Sequence, residues 1–286
     1  MRFSVVIPAY NEASSIGALL ESICAASYGS HALAEAMVYD DGSTDGTATT
    51  VSGLIERFAA IRMIRGERRM GCATAVETLL REAANEAIVK INADIAPDAG
   101  ALEHLVDALD AGAACAVGAA NPIVSRASMV SLASAFSFET VERLKRGPHL
   151  YRYATGHLVA YRRSVLGDLN FPAALINDDR YTAEQIARSG GRFAYVPAAR
   201  YRVKTAANAL DYWRISRRVL EGERQLERIG ITRAPLSSVL SAVAVTALRR
   251  PLRALPWAAL YIWSSLRSSP TRDSRWPIAT STKGAF

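Results

Sequence analysis

The sequence predicts a mixed α/β fold, and two observations carry that expectation. Short β-rich runs alternate with longer segments of helical period. Several of the apolar runs end in strongly polar residues: Tyr10-Asn11-Glu12, the stretch 40–47, and Asn92-Ala93-Asp94. At 286 residues, half of them hydrophobic, the chain can bury one sizeable core, so one domain with an appendage is expected over two equal domains.

The elements follow in order. A strand from Phe3 to Pro8 precedes a helix from Ile16 to Ala25, a strand from Met37 to Asp40 precedes a helix from Ala48 to Phe58, and a strand from Ile61 to Ile64 precedes a helix from Cys72 to Ala83. In that third helix Cys72, Ala75, Val76, Leu79 and Leu80 recur on one face, an apolar stripe for packing on a sheet. The strand Ala87 to Ile91 stops at Asn92-Ala93-Asp94. Pro97 is expected to start a helix running to about Asp110, and Ala113 to Gly118 to form another buried strand. Together these read as a nucleotide-binding half with a largely parallel sheet.

The second half is less regular. It reads as a helix from Met129 to Arg146, a strand from His157 to Tyr161, a helix opened by Asn177-Asp178-Asp179 and ended by Gly190-Gly191, and a strand from Phe193 to Val196. A long basic helix follows Asn208 and runs to about Ile229.

Cys24, Cys72 and Cys115 are scattered without pairing or CxxC spacing, so neither a disulfide framework nor a zinc site is expected, and a reducing cytosol fits best. The first residues carry no long apolar segment with a cleavage site, which predicts a cytoplasmic protein. The net charge of +7 is uneven: residues 200–286 hold 16 Lys/Arg against 5 Asp/Glu. That tail contains two apolar stretches, Leu236 to Leu248 and Leu255 to Leu266, of 13 and 12 residues. As helices each reaches only about 20 Å of a hydrocarbon layer of roughly 30 Å. With arginines and Pro251 between them and Trp257, Tyr261 and Trp263 beside them, they are expected to lie at an anionic membrane surface; nucleic acid is not the expected partner. The alternative is packing on the catalytic domain or a homodimer contact.

In open α/β sheets the ligand sits beyond the carboxyl ends of the strands. Each strand-end cluster has a plain reading as a turn or helix cap. Three acidic or amide clusters converging on one edge exceed what capping requires. The run Val5-Val6-Ile7-Pro8-Ala9-Tyr10-Asn11-Glu12, followed about thirty residues later by Asp40-Asp41-Gly42-Ser43-Thr44-Asp45-Gly46-Thr47, resembles family 2 glycosyltransferases of the GT-A fold. The resemblance continues through 71–77, 92–94, 156–163 and 177–181 and covers roughly residues 2–222.

It implies a donor site of Pro8, Ala9, Tyr10, Asn11, Glu12, Asp40, Asp41, Gly71, Asn92, Ala93 and Asp94. A carboxylate only accepts hydrogen bonds, so Asp40 or Asp41 beside the base would favour uracil N3–H, or the N–H edge of guanine, over cytosine. Gly71 would open a helix toward the phosphates. Where the family has Asp-x-Asp this chain has Asn92-Ala93-Asp94, making Asp94 the expected ligand of Mg²⁺ or Mn²⁺; the Asn92 amide oxygen could accept from ribose or bind metal weakly. Asp179 would be the catalytic base, with Asp178 beside it tuning or positioning it, although either could be only a helix cap. Gly156, His157, Arg180, Arg214, Arg217 and Arg218 would contact acceptor or diphosphate. Ile215 and Val219 replace the Gln and Trp of the family's Gln-x-x-Arg-Trp element, which points to single transfer over processive synthesis.

The resulting expectation is a catalytic domain over 1–230, donor half 1–120 and acceptor half 121–230, with an extension over 231–286. It would move one sugar from a UDP- or GDP-sugar, with inversion, to a hydroxyl of a lipid-linked or polysaccharide acceptor at the inner membrane face. A nucleotidyltransferase would carry a Gly-rich, Lys/Arg-containing loop directly after the first strand, where Ala9-Tyr10-Asn11-Glu12 stands instead. A silent nucleotide-sugar-binding protein is the other alternative, raised by Asn92.

Overall fold

The computed structural model describes residues 1–124, 128–266 and 282–283. In it the apolar runs β1 (Arg2–Ala9), β2 (Ala32–Asp40), β3 (Ile61–Arg65) and β4 (Ala87–Ile91) pair in parallel in the order β3-β2-β1-β4. The helices α1 (Ile16–Ala25), α2 (Thr47–Ile55) and α3 (Cys72–Glu82) connect them as expected. Because helices cover both faces, β1 is apolar on both. Val5 and Ile7 join the core of α1 and α2, while Val6 joins the α3 stripe of Val76, Leu79 and Leu80 on the opposite face.

One expected element is displaced. Pro97 does not start a helix; it ends a short strand, β5 (Ile95–Pro97), and α4 (Ala101–Asp110) begins only after Gly100 turns the chain at φ 76°. β5 is the outermost strand, antiparallel to β8 (Phe193–Lys204), and an edge tolerates a residue that cannot donate an N–H. Since β5 is defined by a partner a hundred residues away, no local pattern marks it. Asn92 and Asp94 therefore do not cap α4.

The donor half is parallel as expected, and the sheet as a whole is mixed, as the GT-A resemblance implies. β7 (Leu158–Arg162) runs antiparallel between β4 and β6 (Cys115–Ile123), and β6 pairs in parallel with β8. β6 and β8 both run on past their expected ends at Gly118 and Val196, across a register shift between Val117 and Ala119. A side chain at Gly118 would come within 2.8 Å of the Ala199 carbonyl, so the close approach there requires glycine.

The remaining α-helices among the described residues are α5 (Met129–Leu144), α6 (Asp178–Arg188), α7 (Ala209–Arg228), α8 (Leu236–Arg249) and α9 (Pro251–Leu266). Asn208 caps α7 as its position promised, accepting from the Asp211 N–H at 2.9 Å. The two tail helices are not purely surface elements. Trp257, expected at a membrane interface, packs on Phe136 of α5 with ring centroids 4.8 Å apart. Arg250 and Arg253 pair with Glu139 of α5 at 3.4 and 2.6 Å. The other side stays open, with Leu248, Leu252, Leu255 and Leu266 each more than three-quarters exposed. No helix of the described residues is long and apolar enough to cross a membrane.

Candidate active site

Register aligns the strand ends. Ala9 pairs with Asp40, Asp40 with Arg65, and Ile91 with Leu158 of the antiparallel β7, so 10–12, 40–41, 92–94 and 156–157 share one edge of the sheet. Two of these loops are stitched together. Asn11, in the left-handed region at φ 54°, donates its N–H to Ser43 Oγ at 2.9 Å and accepts from the Thr44 N–H at 2.9 Å. The Glu12 N–H donates to Thr47 Oγ1 at 2.8 Å, and the Glu12 carboxylate, 3% exposed, pairs with Lys283. Tyr10 lies beneath the Arg69 guanidinium, 4.3 Å from its ring centroid. Pro8 and Ala9 are the end of β1 itself, and the Ala9 carbonyl accepts from the Asp41 N–H.

The two expected base-contacting carboxylates differ in what they hold. Asp41 accepts from the N–H groups of Met70 and Gly71 at 2.7 and 2.8 Å, which ties the start of α3 to the end of β2. Burial pushes its carboxyl above the usual range, against those two N–H groups. Through these two bonds Asp41 shapes the loop. Asp40 accepts from the Ser43 N–H through one oxygen, and its other oxygen is buried without a hydrogen-bond partner, with Arg65 Nε 3.7 Å away. Gly71 takes φ 108°, open to glycine, and leads into α3.

At the end of β4, Ala93 turns into the core and Asp94 is half-buried. Burial pushes the Asp94 carboxyl up, while Arg218, Lys90 and Lys204 act in the opposite direction. Lys90 is the residue that sequence reasoning missed. Its Nζ donates to Asn92 Oδ1 at 2.8 Å and to the Gly156 carbonyl. The signal was present: a lysine inside the apolar run Ala87-Ile88-Val89-Lys90-Ile91 must be buried and partnered. Among the described residues no group of three or more His, Cys, Asp and Glu gathers as a metal cage. A lone carboxylate such as Asp94 fits a cation shared with substrate phosphates.

The acidic pair arrives from the opposite side. Asn177 occupies the cap position of α6, and Asp178 and Asp179 lie in its first turn, so neither aspartate is the cap. Asp179 accepts from the Gly156 N–H through Oδ2 at 2.8 Å and from the Arg180 N–H through Oδ1 at 2.7 Å. Asp178 is buried, and burial raises its carboxyl, with Lys90 opposing and Asp179 reinforcing the shift. Helix α7 fixes this turn: Gln225 accepts from the Ile176 N–H at 2.9 Å, and Glu223 accepts from Asn177 Nδ2 at 3.3 Å. Gly222 lets the Asn177 side chain lie directly on the α7 backbone, since a Cβ there would stand 2.3 Å from Asn177 Oδ1.

Several expected contact residues are employed otherwise. Arg180 is 5% exposed, pairs with Glu184 at 2.9 Å and donates to the Thr232 carbonyl, so it braces α6 and is not available to an acceptor. His157 stacks on Tyr201 and touches Phe138; burial, then Lys90, Lys145 and Arg218, hold it down to about 3, so it offers no charge to a diphosphate. Arg214 pairs with Asp211 at 3.0 Å, and Arg217 lies over the Trp213 ring. The charge of Arg218 draws down the carboxyls of Asp94 and Asp178 and the thiol of Cys72.

Comparison with known proteins agrees with this geometry. The chain is 26% identical to a mannosyltransferase of Pyrobaculum calidifontis solved with GDP-Man and Mn²⁺, covering 94% of this chain and 76% of that one at a TM-score of 0.61. It is 30% identical over 118 residues to a dolichol-phosphate mannosyltransferase of Pyrococcus furiosus, covering 41% of this chain and 33% of the relative. With a dodecaprenyl-phosphate galacturonate synthase of Rhizobium johnstonii it shares 28% over 111 residues, 38% of this chain and 33% of that one. The match thus spans a third of the length of these two curated relatives. The model of glycosyl transferase family 2 matches residues 4–169, more than half of the chain. A mixed sheet with its carboxylates at one edge, in the GT-A arrangement of its structural relatives, accompanies that match: the chain belongs to glycosyl transferase family 2.

Proposed function

We propose that this glycosyltransferase moves a single sugar from a UDP- or GDP-sugar to a lipid-linked or polysaccharide acceptor with inversion at C1. Asp179 is the general base, and Asp94 would hold Mg²⁺ or Mn²⁺. The carrying observation is that Lys90, which donates to Asn92 Oδ1 and to the Gly156 carbonyl, meets at Gly156 the residue whose N–H donates to Asp179 Oδ2 at 2.8 Å. These contacts support a reading in which the donor and acceptor carboxylates work at one edge of the sheet. The GDP-Man bound to the Pyrobaculum enzyme supports the GDP-sugar arm.

When bound with the donor, the metal would neutralise charge on the departing diphosphate. Asp179 keeps lone pairs free beyond its bonds to Gly156 and Arg180, since a carboxylate has about four acceptor sites. It takes the acceptor proton as that oxygen attacks C1 from the face opposite the nucleotide. The names of the dolichol-phosphate and dodecaprenyl-phosphate relatives favour a second reading of the acceptor, a lipid phosphate. A phosphate oxygen is already largely ionised at neutral pH, so Asp179 would then orient it.

Residues 1–230 form the catalytic unit in this reading and 231–286 the extension. The open leucines of α8 and α9, beside a basic tail, fit a peripheral contact with an anionic membrane at the cytoplasmic face. A thermal-shift screen of UDP- and GDP-sugars with and without Mn²⁺ tests the donor assignment, because selective binding raises the melting temperature by mass action. If no nucleotide-sugar stabilises the protein, the assignment fails.

A further inference from the structure

We propose that Lys90 is a built-in cation that joins the two halves of the cleft and excludes Asn92 from metal binding, so that a divalent ion is held by Asp94 and donor phosphates alone. This rests on the glycosyltransferase reading of the site and adds to it a residue that neither the motif nor the family match assigns.

Lys90 lies on β4, where every residue is buried, and is itself 3% exposed. A buried ammonium is tolerated only where fixed acceptors replace its water. Here they are Asn92 Oδ1 at 2.8 Å and the Gly156 carbonyl. The fit at Gly156 is close: a Cβ on that residue would stand 2.8 Å from Lys90 Nζ and 2.9 Å from Asp179 Cβ. From the same glycine the N–H donates to Asp179 Oδ2 at 2.8 Å. A continuous line of contacts therefore runs from Asn92 through Lys90 and Gly156 to Asp179, linking the end of β4 to the start of α6.

The consequence concerns the metal. Oδ1 is the atom of an asparagine side chain that a hard cation would bind. In Asn92 that atom already accepts from an ammonium. A divalent ion there would break the bond and stand beside a fixed positive charge, and two like charges a few ångströms apart repel even where the surroundings screen them. Asp94, by contrast, gains no hydrogen bond from Lys90 and keeps its carboxylate for a shared ion. Being buried, Lys90 does not reach substrate; it is a positioning residue.

Calorimetric Mn²⁺ titration of the full chain, alone and with UDP or GDP, tests this. Wild type is expected to bind Mn²⁺ weakly alone and about tenfold or more tighter with the matching nucleotide. Lys90→Met, which keeps length and removes charge, should bind Mn²⁺ alone about tenfold tighter, while Lys90→Arg should behave as wild type. Asn92→Asp should change little by itself, because Lys90 neutralises the new carboxylate, whereas Lys90→Met with Asn92→Asp should bind tighter than either single variant. Unchanged Mn²⁺ affinity in folded Lys90→Met overturns the proposal. Should that variant fail to fold, Asn92→Asp decides: wild-type affinity supports the idea, and a clear tightening overturns it. Failure of the glycosyltransferase reading would show separately, as absence of stabilisation of the wild type by any nucleotide.

Discussion

Substituting Gly222 by alanine should disable transfer by moving residues that α7 does not contain. The new Cβ would stand 2.3 Å from Asn177 Cγ and Oδ1 and 2.6 Å from Nδ2, where ordinary contact begins at 3.4 Å. Asn177 must therefore retreat by about 1 Å, and it is the residue immediately before Asp178 and Asp179 at the start of α6. Overpacking of this kind costs about 1–3 kcal/mol of stability. A displacement of about 1 Å at a reacting group costs about 10² in rate. Donor binding should persist, since the loops 10–12, 40–41 and 71 belong to other strands. The assay is transfer from radiolabelled donor alongside thermal shift with UDP and GDP. Adding Asn177→Ala to Gly222→Ala should restore most of the lost melting temperature. A Gly222→Ala protein with wild-type transfer and stability would refute the claim that α7 sets the acidic turn.

Asp94→Ala should abolish turnover in Mn²⁺ buffer while leaving the melting temperature near that of wild type; near-normal activity would remove Asp94 as the metal residue. His157 is held near 3 against an ordinary value of 6.5, so the unfolded chain binds its proton more tightly. Its contribution to stability is complete above about 6.5 and is lost as pH falls from there toward 3, and the difference in stability between wild type and His157→Gln should shrink over that window in pH-dependent melts. Replacing Leu248, Leu252 and Leu255 by serine should end co-sedimentation with anionic vesicles without altering donor binding; unchanged sedimentation would mean that this face is not the membrane contact.

Local pattern made the donor half legible. Helical stripes and strand runs are short-range signals, and α1 and β4 begin and end where the sequence places them. β5 was not legible, because Ile95 to Pro97 becomes a strand only through pairing with β8. The same reason hides the full length of β6 and β8. Within the site, the strand-end acids were visible as motifs, but their roles depend on contacts across long separations. Asp41 holds the α3 loop, Arg180 serves Glu184 and Thr232, and His157 is enclosed by aromatic rings. Lys90 was visible in the sequence as a charge in an apolar strand, yet its partner Gly156 lies 66 residues away. In the tail, amphipathicity showed that two helices exist but not that Trp257 would turn toward Phe136.

The central claim, that the carboxylate held by Gly156 performs the proton transfer, is tested most directly by Asp179→Asn. Donor binding is measured by thermal shift, and transfer is measured to a lipid-linked hydroxyl acceptor and to a prenyl phosphate in parallel. Asparagine keeps the size of the side chain and an oxygen able to accept from the Gly156 N–H but cannot take a proton. The account predicts intact donor binding and a fall in transfer to the hydroxyl of roughly 10² to 10⁴. A much smaller loss confined to the phosphate acceptor would mark Asp179 as an orienting group there. Wild-type transfer to the hydroxyl acceptor by Asp179→Asn would contradict the account.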